Sequence, residues 1–111
     1  MTAELNVEFL WFQDCPNHET ARTLLHDLLA ARGLRMQIDD IEVPDEATGD
    51  RVRFPGSPTI RINGRDVEPG VEDCVDCTPR CRIYHTRLGL RGIPEREWIE
   101  AAIDAALAAT S

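Results

Sequence analysis

Four cysteines in 111 residues are the side chains with the most chemistry to offer, and they occur in two settings. Cys15 stands alone, directly after the apolar run Phe9-Leu10-Trp11-Phe12 and directly before Pro16-Asn17-His18. A strand running into a helix would deliver this thiol to a helix N-terminus, where unpaired backbone N–H groups and the helix dipole favour thiolate over thiol. Cys15 is therefore a candidate catalytic nucleophile, and His18, one turn further on, is a candidate to activate it. The competing readings are a buried, inert cysteine and a solvent-facing histidine, and Asp14 works against ionisation of the thiol.

The second setting is Cys74, Cys77 and Cys81 followed by His85, spaced C-x2-C-x3-C-x3-H. Three thiolates and an imidazole suit tetrahedral zinc or another thiophilic metal. Structural zinc sites usually separate two ligand pairs by a longer spacer, so redox thiols are a second reading: a Cys74–Cys77 or Cys77–Cys81 disulfide, or one loop thiol resolving Cys15. Unpaired thiols in a loop are the third. No cofactor beyond a thiophilic metal is implied.

The composition bounds what such thiols can serve. The net charge of -8 argues against nucleic acid, whose partners usually present a basic face. Met36 to Asp50 holds six acids and no base, Asp66 to Asp76 holds five acids and no base, and Arg80 to Arg91 holds four arginines and no acid. Arg80, Arg82, Arg87 and Arg91 suit a carboxylate or a glutathione-like anion, or simply form a solvated face. Every basic side chain is Arg, which excludes lysine Schiff-base chemistry. The first residues are neither basic nor apolar and Phe9–Phe12 is too short to span a membrane, so a cytoplasmic protein with no membrane partner is expected. Thiols in a reducing compartment then read as redox groups or ligands rather than as a structural disulfide framework.

The elements that must position these residues follow from periodicity. Asn6 to Gln13 reads as a central strand, apolar on both faces from Phe9 onward. Asn17 to Arg32 reads as a helix with Ala21, Leu24, Leu25, Leu28 and Leu29 on one face and Gly33 as its stop. Leu34 to Val43 alternates as a strand with an irregularity at Asp39-Asp40, and Pro44 to Phe54 suggests one or two helical turns. Thr59 to Ile62 is a short strand, Asn63-Gly64 a two-residue hairpin turn and Arg65 to Glu68 its return. Arg82 to His85 suggests one more short strand, with Tyr84 and Trp98 as core residues, and Pro94 opens a final helix lined by Ile99, Ala102, Ile103, Ala106 and Leu107. The expectation is a single α/β domain over residues 1–111 with a cysteine-bearing loop at about 69–81.

This order, with Cys15 after the first strand, Ser57-Pro58-Thr59 before the third and Asn63-Gly64 after it, resembles the thioredoxin-like (thioredoxin and glutaredoxin) superfamily. Together with Asp14-Cys15-Pro16-Asn17 and Cys81-Arg82-Ile83-Tyr84, it resembles small bacterial thioredoxin-family proteins, some of which carry an alkylmercury-lyase-like label. The resemblance implies a three-layer sandwich with a four- to five-stranded mixed sheet flanked by helices, a nucleophilic Cys15, and Pro58 as a cis-proline shaping the substrate groove. It implies thiol-disulfide oxidoreductase chemistry, with a protein or small-molecule thiol or disulfide as partner. The motif departs from Cys-x-x-Cys: Cys15-Pro16-Asn17-His18 has His where the resolving cysteine would be. Resolution must come from elsewhere, and because the fold places the loop near the end of the sheet that carries Cys15, Cys81 is a candidate. Two facing thiolates would equally suit a soft ion such as mercury. The other open reading is a thioredoxin-like scaffold without catalysis, and the oligomeric state is not fixed by the sequence.

Overall fold

The computed structural model describes residues 5–34, 38–71 and 77–109. The strand β1 (Val7–Trp11) lies at the centre of the sheet. It pairs parallel with β2 (Asp39–Glu42), Phe9 opposite Asp40, and antiparallel with β3 (Thr59–Ile62), Phe9 opposite Ile60. Across the turn at Asn63 (φ 52°) and Gly64 (φ 80°), β4 (Arg65–Asp66) returns beside β3. The result is a four-stranded mixed sheet in the order β2-β1-β3-β4. Parallel neighbours cannot be joined by a hairpin, and α1 (His18–Ala31) makes the crossover from β1 to β2.

Successive side chains of β1 point to opposite faces, and both faces are covered. Val7 and Phe9 enter a core shared with Leu25, Leu28 and Leu29 of α1, Ile60 and Ile62 of β3, and Ile99 and Ile103 of α3 (Arg96–Ala109). Leu10 enters a smaller cluster with Val43 and Phe54, which flank α2 (Glu46–Val52). This explains why the run from Phe9 is continuously apolar rather than alternating.

The short α2 depends on its ends. Asp45 caps its N-terminus by accepting from the Thr48 amide at 2.8 Å, and the guanidinium of Arg61, pointing away from Ile60 and Ile62, donates to the carbonyls of Val52 and Arg53 at the other end. Gly49, buried in the middle of the helix, lies so close to the carbonyl of Cys77 that a side-chain carbon there would overlap it. The helix is thus also the bed on which the chain leaves the cysteine-bearing loop.

Two segments differ from expectation. The second strand spans only Asp39–Glu42, and Asp39-Asp40, expected as an irregularity, are within its ladder; Arg35, Met36 and Gln37 lie outside the described residues. The single strand expected at Arg82–His85 is half of a separate hairpin, β5 (Tyr84–Thr86) with β6 (Gly89–Arg91), so the main sheet stays at four strands. The Thr86 hydroxyl stabilises this reversal, donating to the Gly89 carbonyl at 2.7 Å and accepting from the Leu88 amide at 3.2 Å. No helix among the described residues is long and apolar enough to cross a membrane.

Candidate functional site

After β1 the chain turns at Gln13-Asp14, the Cys15 amide donates to the Phe12 carbonyl at 3.0 Å, and the side chain of Cys15 ends with no solvent exposure. Asn17, the expected start, is the N-cap of α1, so Cys15 sits two residues ahead of the cap. The hydrogen bond it makes is as a donor, from its thiol to the Ser57 carbonyl at 3.3 Å, an interaction that only the protonated sulfur can make.

Ser57 is the hinge of the site. The Ser57-Pro58 peptide is cis, as the resemblance implied, and turns the chain into β3. Both backbone polar groups of Ser57 are bound by the segment carrying Cys81: the Ser57 amide donates to the Arg80 carbonyl at 2.7 Å, and the Arg82 amide donates to the Ser57 carbonyl at 2.8 Å. That carbonyl therefore accepts from the Cys15 thiol and the Arg82 amide together. Gly56 makes the approach possible, since its φ of 133° is open to glycine and a side-chain carbon there would meet Arg82 Cβ at 2.7 Å.

The bridge between Ser57 and Cys81 brings the two free thiols together. Cys81 is exposed, and the strand bridge sets it beside Ser57, whose carbonyl accepts from the sealed Cys15 thiol. Cys15, through its hydrogen-bonding group first and its charge when ionised last, with partial burial between them, pushes the Cys81 thiol up from 9.0 to about 11. Residues 66 positions apart thus form a dithiol, with its outer sulfur in solvent and its inner sulfur sealed. In this conformation an external disulfide meets Cys81, not Cys15.

The other expected site residues are placed elsewhere. His18 stacks on the Trp11 ring at 4.7 Å between ring centres, with Nδ1 buried 3.4 Å from a Glu19 carboxylate oxygen but in hydrogen-bonding geometry with no partner among the described residues. Its observed contacts are with Trp11 and Glu19. Cys77 is buried and disulfide-bonded, so it has no thiolate to offer a metal; Cys74 lies outside the described residues, and His85 is on the exposed side of β5. Among the described residues no three His, Cys, Asp or Glu side chains are grouped to hold a metal.

The sequence reading missed the support beneath the pair. From Cys81 to His85 exposure alternates, with Cys81, Ile83 and His85 outward and Arg82 and Tyr84 inward. Arg82, expected on a solvated or anion-binding face, is buried and donates to Asp66 at 2.6 and 3.1 Å, to Glu68 at 2.9 Å and to the Thr59 hydroxyl at 2.9 Å. Its guanidinium also lies over the Tyr84 ring at 4.2 Å. Burial is the largest influence on this cation and opposes its charge, but Tyr84, Asp66 and Glu68 outweigh it, so Arg82 is held more firmly protonated than usual. Tyr84 is fully buried, its hydroxyl donates to the Pro58 carbonyl at 2.5 Å, and burial first, with Asp66 and Glu68 adding, pushes its phenol up despite the opposing pull of Arg82. The available signal was Asp66 and Glu68, two acids at strand spacing facing a strand with one inward cation. Arg87 is likewise paired, with Glu95 and Glu97.

No protein-family model matches the chain, and no curated protein or solved structure matches it significantly.

Proposed function

We propose that this chain is a thiol redox protein of thioredoxin-like architecture whose working pair is Cys15 and Cys81. The observation that carries the reading is the Ser57 carbonyl, which accepts both from the sealed Cys15 thiol and from the amide of Arg82, the residue next to the exposed Cys81. In support of the architecture stand the strand order β2-β1-β3-β4, the thiol just after β1 and the cis-proline just before β3. The resolving thiol that Cys15-Pro16-Asn17-His18 lacks is supplied from across the fold.

Exposure assigns the roles. In the oxidised protein, a partner thiolate attacks the accessible Cys81 sulfur, the Cys15–Cys81 bond breaks, and Cys15 leaves with the electron pair and takes a proton. A second partner thiolate attacks the partner sulfur of the mixed disulfide, releasing the partner disulfide and Cys81. Overall, a protein disulfide and two thiols become a protein dithiol and one disulfide, and the reverse oxidises the pair. Pro58 holds the loop whose Ser57 carbonyl anchors both cysteine segments.

Equilibrating the protein in glutathione redox buffers, quenching with acid, alkylating and mapping peptides tests this. The expected product is a Cys15–Cys81 linkage formed in one two-electron step. If Cys81 instead carries glutathione while Cys15 remains a thiol at every ratio, the redox pair is refuted. Metal analysis of the same reduced sample addresses the other reading, since stoichiometric zinc or mercury that protects both thiols from alkylation would favour metal binding.

A further inference from the structure

Arg82 follows Cys81 directly, and its side chain leads away from solvent into a polar cluster built from three segments. It binds Asp66 of β4 and Glu68 just beyond it, Thr59 at the start of β3, and the face of Tyr84. Two further links close the circuit on the cis-proline loop. Tyr84 donates to the Pro58 carbonyl, and the Thr59 hydroxyl donates to the Gly56 carbonyl at 2.6 Å. Gly56, Ser57, Pro58 and Thr59 are thus each held through a backbone or side-chain atom by Arg82, by Tyr84 or by one another.

A buried charge cluster is an inefficient way to stabilise a fold, because desolvation cancels much of the Coulomb gain. It is well suited to fixing geometry, because a planar guanidinium reaching two carboxylates and a hydroxyl tolerates little displacement. Here the part being fixed is the peptide on which both cysteine segments converge.

We propose that Arg82 and Tyr84 are positioning residues for the redox pair: with Asp66, Glu68 and Thr59 they hold the Cys81 segment against the cis-proline loop, and so set how readily the Cys15–Cys81 disulfide closes. The proposal rests on the reading of Cys15 and Cys81 as the redox pair. The hydrogen bonds of both side chains go to Asp66, Glu68, Thr59 and Pro58, not to a sulfur. Their effect is on effective concentration, which for thiols held in reach is lost steeply with small misplacement.

The test compares wild type, Arg82→Met and Tyr84→Phe by the equilibrium constant of the reaction in which the dithiol and oxidised glutathione give the Cys15–Cys81 disulfide and two reduced glutathiones. Arg82→Met is expected to lower that constant tenfold or more, with glutathione accumulating on Cys81. Tyr84→Phe removes only the hydroxyl that donates to Pro58 and is expected to lower it about threefold. Because unpairing Asp66 and Glu68 threatens the fold, Tyr84→Phe decides the matter if Arg82→Met does not fold. Folded variants whose constants stay within twofold of wild type overturn the positioning role while leaving the redox pair intact. A wild type that never closes the disulfide overturns both.

Discussion

Cys81 and Cys15 meet at the Ser57 peptide across a boundary, one residue exposed and the other enclosed. Because Cys81 ionises only near about 11, it is a slow attacking group at neutral pH. Cys15→Ala removes both the hydrogen bond and the charge that raise Cys81, leaving partial burial. Its alkylation profile should shift to lower pH, and its rate at pH 8 should rise roughly five- to tenfold once the lower nucleophilicity of the less basic thiolate is counted. A rate measured by peptide mass spectrometry that stays at the wild-type value would show that Cys15 does not control Cys81. The same shift makes reduced-state stability depend on pH. The folded pKa of Cys81 exceeds its ordinary 9.0, so its contribution is complete below pH 9 and lost as pH rises through about 11. Urea midpoints of the reduced protein should fall across this window more than those of Cys81→Ser.

At the scale of elements, the site is built by contacts between segments that are weak alone. The helix α2 has seven residues, too few to be stable by itself, and is held by the Asp45 cap, the Arg61 guanidinium and the seat of Gly49 under Cys77. Gly49→Ala forces the Cys77 backbone to move and should cost about 1–3 kcal/mol, as overpacking of a tight contact does, despite alanine's better helix propensity. Urea unfolding checks the sign: stabilisation would mean the chain after Cys77 yields without cost. The hairpin β5–β6 shows the reverse dependence, because its inward face is set by the polar cluster and its outward face leaves Ile83 62% and Leu90 65% exposed.

For the whole molecule, the sheet supplies stability and the cysteine bridge would add a constraint. Joining Cys15 to Cys81 closes a loop of about 65 residues, and the chain-entropy account gives about 4 kcal/mol of stabilisation for a loop of that length. Oxidation should therefore raise the thermal midpoint by about 10 °C or more, measured by calorimetry on oxidised and reduced samples of equal concentration. A midpoint lower after oxidation would mean that the bond forms only by distorting the site. The core formed by Val7, Phe9, Leu25, Ile60, Ile99 and Ile103 includes neither cysteine.

Periodicity and turn chemistry determined much of the frame by themselves. The leucine spacing of α1, the apolar run of β1, the Asn63-Gly64 turn and the helix after Pro94 are local signals, and each element formed within a few residues of its expected bounds. Cys15 was singled out by its immediate neighbours, whereas Pro58 came from the resemblance of Ser57-Pro58-Thr59 to a proline loop, whose cis peptide is present. What tertiary structure alone decided were relations between distant segments: which loop sulfur meets Cys15, that Cys15 is the sealed partner, that His18 turns to Trp11, and that Arg82 goes inward while Ile83 goes outward. Hydrophobicity assigns Ile83 to the core and Arg82 to water. The structure reverses them because Asp66, Glu68 and Thr59 give the buried guanidinium the partners that make its burial tolerable, and those partners arrive only when β4, the cis-proline loop and the Cys81 segment have folded together.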